Sequence, residues 1–305
     1  MGKYYDVIGG IKLALERFRD RQVLKWTGLM LAVGIVGALL LVVAVVAGIS
    51  MMAGSPAVGL LVALGGGLLA LVALVYASIY AEIRLERACM AASGVKTAKE
   101  PVSVPDMFVL SIHLLVVNAL CWYDRKLATP AAVLLVLTIL TALAGFAFKP
   151  LFVLAIVFGF LFVIAWAIAA AVQGLRTTFA RYMFLRGDGP RGKMPRASNT
   201  LVQGQTLELF LPFLVAGVVL GVIGFVLDLV ARIPLYVGLF GNMTTGSPDA
   251  LPSFGALAIA GIAIYILVKL AWAFLETAYF GVFSTDVFKH FDNAGPAAPA
   301  KAKKK

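Results

Sequence analysis

The chain has 305 residues, of which 62% are hydrophobic and 13% charged, and its formal net charge is +11. Because soluble domains carry about 25% charged residues, this composition excludes an ordinary soluble protein. Several apolar runs exceed about 18 residues, the length that predicts a membrane-spanning helix. We therefore expect one polytopic membrane domain with no room for a soluble catalytic domain.

The N-terminal segment 1–24 is predicted to form an amphipathic helix that lies in the membrane surface. Its apolar residues recur at helical spacing, and its charged residues lie on the opposite face. The apolar stripe consists of Tyr4, Ile8, Ile11, Leu15 and Phe18, and the charged face of Lys12, Glu16, Arg17 and Arg19. Two interpretations remain open: a site for anionic lipid or a protein partner, and a simple anchor.

Six apolar runs predict spanning helices, so the fold class is all-α: a polytopic membrane helix bundle of three hairpins within 25–291. The predicted spans are 26–49, 56–80, 129–148, 151–174, 208–231 and 255–279. The composition of 292–305 predicts a disordered basic tail. A seventh apolar run, 106–122, is ambiguous because it is shorter than the others.

The distribution of charge decides the topology. With the N-terminus inside and six crossings, 23 of the 26 Lys and Arg residues lie on the inner side, and the exceptions are Lys149, Arg232 and Lys269. Such a bias is typical of cytoplasmic loops. If 106–122 crossed the membrane, the arginine-rich segment 176–196 would lie outside. We therefore expect 106–122 to be an interfacial or re-entrant helix, and both termini to be cytoplasmic in a plasma-membrane protein.

The predicted hairpins share a pattern that indicates a weak internal repeat. In each, the helix that returns to the inner side extends beyond the bilayer and carries aromatic and charged residues there. An amphipathic or polar segment precedes each hairpin. The extensions include Tyr80, Glu82 and Arg84, then Gln173, Arg176 and Arg181, then Glu276, Tyr279 and Asp286.

Three segments carry a resemblance to a known group of proteins. They are DVIGGIKLALERFRD ahead of Trp26, and the helix exits AEIRLERACMAASG and ETAYFGVFSTDVF. Together they resemble a broad group of six-helix membrane proteins that includes the membrane domain of some bacterial glycerophosphodiester phosphodiesterases. Only a short tail is seen after the sixth span, so we expect no phosphodiesterase domain, and the resemblance implies the fold and not that activity.

The predicted polar site lies on the last helix and on the end of the fourth span. Lys269, Trp272 and Glu276 are spaced by three and four residues, so they share one helix face. If the helix enters the membrane at Phe254, Lys269 lies within the bilayer, where a charge is a functional hypothesis by default. We expect Lys269 to point into the bundle and to meet a backbone carbonyl, a bound water, or a lipid or substrate anion. Gln173 and Arg176 complete the candidate set. Asp228 and Arg232 are four residues apart at the outer end of the fifth span, so we expect an interfacial ion pair between them.

Motifs of enzymes and cofactor sites are absent from the sequence. The two histidines are isolated, and neither paired Cys/His spacings nor a G-x-S-x-G occur. Gly187–Lys193 has the spacing of a phosphate-binding loop, but Met194 replaces the Ser or Thr that binds Mg²⁺. We expect a basic, Pro- and Gly-rich loop over 187–200, no enzyme activity and no cofactor. Asn242 begins a glycosylation sequon in the predicted outer loop 233–253, usable where the host glycosylates surface proteins.

Two functions fit these observations. The first is a membrane scaffold or accessory subunit that acts through a basic cytoplasmic face. Its partners would be anionic lipid headgroups and a membrane protein or a second copy of the chain, with no nucleic acid. The second is a transporter or channel for small molecules or lipids that uses polar groups between helices. Because transporters often show inverted repeats and broken helices, whereas each hairpin here starts from the inside, the sequence favours the scaffold.

Overall fold

The structure is a computed structural model that describes residues 5–123, 125–240 and 251–294. Within these ranges the chain is α-helical with one short 3-10 turn and no strand, which confirms the predicted all-α class. The helices are α1 Val7–Arg17, α2 Arg21–Met52, α3 Pro56–Ala92, α4 Val104–Ala119, α5 Arg125–Gly145, α6 Leu151–Thr177, α7 Ala180–Arg186, α8 Met194–Val202, α9 Thr206–Phe240 and α10 Leu251–Ala294.

The six predicted spans are confirmed as helices that are long and apolar enough to cross a membrane. They correspond to α2, α3, α5, α6, α9 and α10. The run 106–122 forms the shorter α4, which has 16 residues. Each of the three predicted hairpins follows a short helix in the chain: α1 before α2, α4 before α5, and α8 before α9.

Three boundaries differ from the prediction. The N-terminal helix ends at Arg17 and α2 begins at Arg21, because the Asp20 carboxylate caps α2 by accepting hydrogen bonds from the Gln22 and Val23 N–H groups. The predicted outer loop is helical up to Phe240, because α9 continues through Pro234. Asn242 lies outside the described residues.

The basic segment after Gly187 was predicted to be a loop, and this prediction is wrong for its second half. Pro195 lies at the first helical positions of α8, where its missing N–H costs no hydrogen bond. Five residues of α8 are buried: Met194, Pro195, Ser198, Leu201 and Val202. Burial of these residues stabilises a helix that the local Gly and Pro content does not predict.

The described chain forms two compact units. The first consists of 5, 96–210 and 287–294, and the second of 6–95 and 211–286. In the first unit, α5 and α6 pack as a hairpin around the turn 146–150. Phe179 and Tyr182 pack their rings against Phe288 of α10, with ring centroids 5.3 and 5.5 Å apart. The Arg186 guanidinium lies over the same Phe288 ring.

In the second unit, α2 and α3 pack closely as a hairpin. A side chain at Gly48 would collide with the backbone of Ala63, so glycine is needed at this crossing. Beyond the apolar run of α3, its last turns bury six residues: Ala81, Ile83, Leu85, Ala88, Cys89 and Met90. The Cys89 thiol packs against Gly281 of α10.

Burial is distributed in the same way in both units. Many of the buried residues lie in the segments that extend beyond the apolar spans. In the first unit these include Phe179, Ala180, Tyr182 and Leu185, and in the second Ala278, Tyr279, Val282 and Phe283. Within the apolar windows themselves, only 6% to 17% of residues are buried by protein. The helices that return from each hairpin are therefore long because their ends pack against protein.

Candidate polar sites in the spanning helices

The predicted site residues fall into two separate groups. Lys269, Trp272 and Glu276 belong to the second unit, whereas Gln173 and Arg176 belong to the first. Each group is described with its own neighbours. In the second unit, Lys269 lies with Asp228, Arg232 and Tyr265 in what we call the α9–α10 cluster. In the first unit, Gln173 and Arg176 lie with Asn118, Thr177 and Ser198 in what we call the α6–α8 corner.

Asp228 is the centre of the α9–α10 cluster. Its carboxylate lies 2.6 Å from the Lys269 Nζ atom and 2.8 Å from the Arg232 guanidinium, which is four residues along the same helix. The Tyr265 hydroxyl donates a third hydrogen bond at 3.2 Å. One carboxylate therefore balances two cations, and the cluster carries one excess positive charge.

The side chain of Lys269 reaches an acceptor on the neighbouring helix α9 and is only half-buried. It is 46% exposed, and the Arg232 side chain is 44% exposed, whereas that of Asp228 is only 13% exposed. Its partner is the Asp228 carboxylate and not a backbone carbonyl. Pairing with a carboxylate lowers the cost of a charge among apolar neighbours, so Lys269 can lie at a helix surface that faces lipid.

Trp272 and Glu276 are not part of this cluster. The Trp272 indole packs against Gly224, where a Cβ atom would lie only 2.7 Å from Nε1. This contact brings α9 and α10 together one turn from Asp228. Glu276 borders an apolar groove shared with Leu15, Phe18 and Tyr279. The three residues of the predicted polar face therefore have separate structural roles.

The α6–α8 corner is buried and rich in hydrogen bonds. The Ser198 hydroxyl donates to the Arg176 carbonyl at 2.8 Å and accepts from the Phe179 N–H at 3.1 Å. It thereby satisfies two backbone groups where α6 ends and α7 begins. The Thr177 hydroxyl donates to Asn118 Oδ1 at 2.7 Å, which links α6 to α4. The Arg176 Nε atom donates to the Thr206 hydroxyl at 3.0 Å.

Gln173 is the exception in this corner. Its side chain is fully buried, yet neither Nε2 nor Oε1 has a hydrogen-bond partner among the described residues. An amide offers two donors and an acceptor with two lone pairs, and each unsatisfied buried group costs about 1–3 kcal/mol. Gln173 thus has unused capacity to bind a polar group.

Sequence reasoning missed two of the residues that organise these sites. Asp228 was predicted to pair with Arg232, which the structure confirms, but its contact with Lys269 depends on how α9 and α10 pack. Ser198 lay in the predicted loop, and its two bonds depend on α8. The described residues contain no cluster of three or more His, Cys, Asp or Glu that could hold a metal ion.

The fold and these sites define a polytopic α-helical integral membrane protein. Comparison of the chain with protein-family models, curated proteins and solved structures finds no match.

Proposed function

We propose that the protein is a membrane scaffold or accessory subunit that acts through a basic face. Support comes from the exposed cations at the ends of the helices remote from the hairpin turns. In the second unit these are Lys12, Arg19, Arg21, Lys25 and Arg84, and in the first unit Lys96, Lys99, Arg191, Lys193 and Arg196. Exposed cations at a membrane surface attract anionic lipids and acidic partner surfaces.

The observation that carries this proposal is the low burial of the spans, at 6% to 17% of each apolar window. Helices that bury so little of their surface against each other present it to lipid or to a partner. A transport route instead needs polar groups enclosed between helices near the middle of the membrane. The Asp228 and Lys269 charges balance one another at an exposed helix surface, which supports a structural role.

The orientation is part of the proposal. We infer that the basic face is cytoplasmic, that both termini lie on that side, and that the membrane is the plasma membrane, because cytoplasmic segments are enriched in Lys and Arg. A cysteine at Lys149, in the turn between α5 and α6, should react with an impermeant reagent added to intact cells. A cysteine at Ala98 should not react, and the reverse pattern would refute this orientation.

The partner is tested by purification in mild detergent at low salt. Wild type should carry a stoichiometric protein partner or a second copy. Two triple variants remove the same charge from different units. The first combines Lys12→Gln, Arg19→Gln and Arg21→Gln, and the second combines Lys96→Gln, Lys99→Gln and Lys193→Gln. At least one should lose the partner, as should wild type at high salt. A monomer without a partner, or binding insensitive to charge and salt, would contradict the scaffold.

The second candidate function is a transporter or channel for small molecules or lipids. The unpartnered amide of Gln173 favours it, because a buried amide with free capacity could bind a polar solute. In that case Gln173→Met should abolish flux of the solute in proteoliposomes. If the variant retains flux, Gln173 has no part in transport.

The proposal assigns no catalysis and no nucleic-acid partner to the chain. The relation to the membrane domain of glycerophosphodiester phosphodiesterases stays a prediction from the three quoted segments. So does glycosylation at Asn242.

A further inference from the structure

Two aromatic rings and two cations meet at one end of the α2–α3 hairpin. The rings of Trp26 and Tyr80 contact edge to face, with centroids 6.2 Å apart. The Arg84 guanidinium lies 5.6 Å from the Trp26 centroid and 5.3 Å from the Tyr80 centroid. The Lys25 Nζ atom lies 5.3 Å from the Trp26 centroid. These four residues are called the Trp26 cluster.

The cations of this cluster are available to an anion. Arg84 and Lys25 are both exposed, and the structure pairs neither with a carboxylate among the residues it describes. Glu82 lies two residues from both Tyr80 and Arg84, which on a helix places it about 200° away and on another face. The local field is therefore positive, at the point where the apolar run of α2 begins.

An apolar groove of about 320 Å³ lies beside this cluster on the same helix faces. It is lined by Leu29, Ala32, Val33, Val36, Gly37 and Leu40 of α2 and by Ala70, Ala73, Leu74 and Ala77 of α3. Leu29 and Val33 follow Trp26 by three and seven residues, and Ala77 and Ala73 precede Tyr80 by three and seven, so both helices align the groove with the cluster. From Leu29 to Leu40 the groove extends about 16 Å along α2.

We propose that the α2–α3 hairpin binds one anionic phospholipid, with an acyl chain in the groove and the phosphate at Arg84 and Lys25. The groove is open and apolar, as a hydrocarbon chain requires. Trp and Tyr are enriched where chains meet headgroups, and Arg binds phosphate through its planar donors. A partner helix would cover the groove but would leave the two cations without an anion. This site does not depend on whether the protein is a scaffold or a transporter.

The site is tested with the full chain in phosphatidylcholine vesicles that contain increasing fractions of brominated lipid. Bromine quenches the fluorescence of a nearby tryptophan. Because the chain has four tryptophans, the contribution of Trp26 is the part of the fluorescence that is lost in Trp26→Phe. Brominated phosphatidylglycerol should quench Trp26 at a lower fraction than brominated phosphatidylcholine. Each cation is expected to contribute about a fivefold preference.

Matched variants separate the two parts of the site. Lys25→Gln with Arg84→Gln should remove the preference for phosphatidylglycerol, whereas Lys96→Gln with Lys99→Gln removes the same charge elsewhere and should retain it. Ala73→Phe, which fills the groove, should reduce quenching by both lipids, whereas Ala57→Phe, outside the groove, should not. Excess inorganic phosphate should leave the preference unchanged.

Three results would overturn the site. The first is equal quenching by the two lipids in wild type, and the second is a preference for phosphatidylglycerol that persists in the Lys25→Gln and Arg84→Gln variant. The third is Trp26 quenching that falls as protein density in the vesicles rises. The last would show that a second copy covers the groove. Circular dichroism and elution volume identify any variant that fails to fold. For such a variant, Lys25→Gln alone provides the same test with about a fivefold expected loss.

Discussion

The α9–α10 cluster and the α6–α8 corner solve the problem of polar groups in a membrane protein in opposite ways. In the cluster, Lys269 is half exposed at a helix surface but lies 2.6 Å from a carboxylate. In the corner, Gln173 is completely enclosed by protein and has no hydrogen-bond partner among the described residues. The charged residue is therefore the satisfied one, and the neutral residue has the unused capacity.

This difference shows that the exposed fraction of a polar side chain does not determine whether its polar atoms have hydrogen-bond or ion-pair partners. A charge at an apolar surface is tolerated when a counter-charge and an aromatic ring lie against it, as Asp228 and Tyr265 lie against Lys269. A buried amide costs energy unless its neighbours reach it. Lys269 is the charged residue that the sequence places within the bilayer. Because it is paired, it is weaker evidence for a functional site than Gln173 is.

The largest expected effect comes from removal of the carboxylate of Asp228. Asp228→Asn leaves Lys269 and Arg232 without a counter-charge, so the melting temperature in detergent should fall by several degrees. Lys269→Met is the control: Asp228 keeps Arg232, and an apolar side chain of similar length replaces the ammonium, so the fall should be smaller. The double variant should be more stable than Asp228→Asn alone. Equal losses in both single variants would contradict Asp228 as the centre of the cluster.

A smaller effect is expected in the corner from Ser198→Ala. The substitution leaves the buried Phe179 N–H and the Arg176 carbonyl without the partner they have in the structure, at a cost of about 1–3 kcal/mol in the free energy of unfolding. Thr200→Ala removes a hydroxyl from the exposed side of the same helix, where it donates to the Arg196 carbonyl, and should change stability by less than about 0.5 kcal/mol. Similar values in a denaturant titration would mean that Ser198 does not hold the junction between α6 and α7.

The smallest loss of stability is expected for Gln173→Met. The replacement has a similar volume and removes an amide that lacks partners, so stability should be unchanged or higher by about 1–3 kcal/mol. Glu208→Gln, in the first turn of α9, alters a polar group outside the corner and provides a reference for assay scatter. A marked loss of stability in Gln173→Met would show that the amide is bonded in the folded protein.

The fold could largely be predicted from the sequence, because apolar run length and the Lys and Arg distribution depend only on local composition. The six spans and the α9 ion pair of Asp228 and Arg232 followed from such patterns. The contacts of Lys269 and Ser198 did not, because each joins residues from separate helices. The helix at Met194–Val202 was missed because its stability comes from burial of one face, whereas its Gly and Pro residues indicated a loop.

The central expectation is that the polar groups of the spanning helices do not line an aqueous route. Cysteines at Ala170, one turn from Gln173, and at Ala273, one turn from Lys269, test it by their reaction with a charged thiol reagent in vesicles. The reference positions are Leu68, which is 62% exposed at an apolar helix surface, and Lys149 in the α5–α6 turn. We expect both test cysteines to react as slowly as Leu68→Cys, after subtraction of the reaction measured in wild type, which contains the two buried native cysteines. Reaction at either position as fast as at Lys149→Cys would show water at these polar groups and would contradict the account.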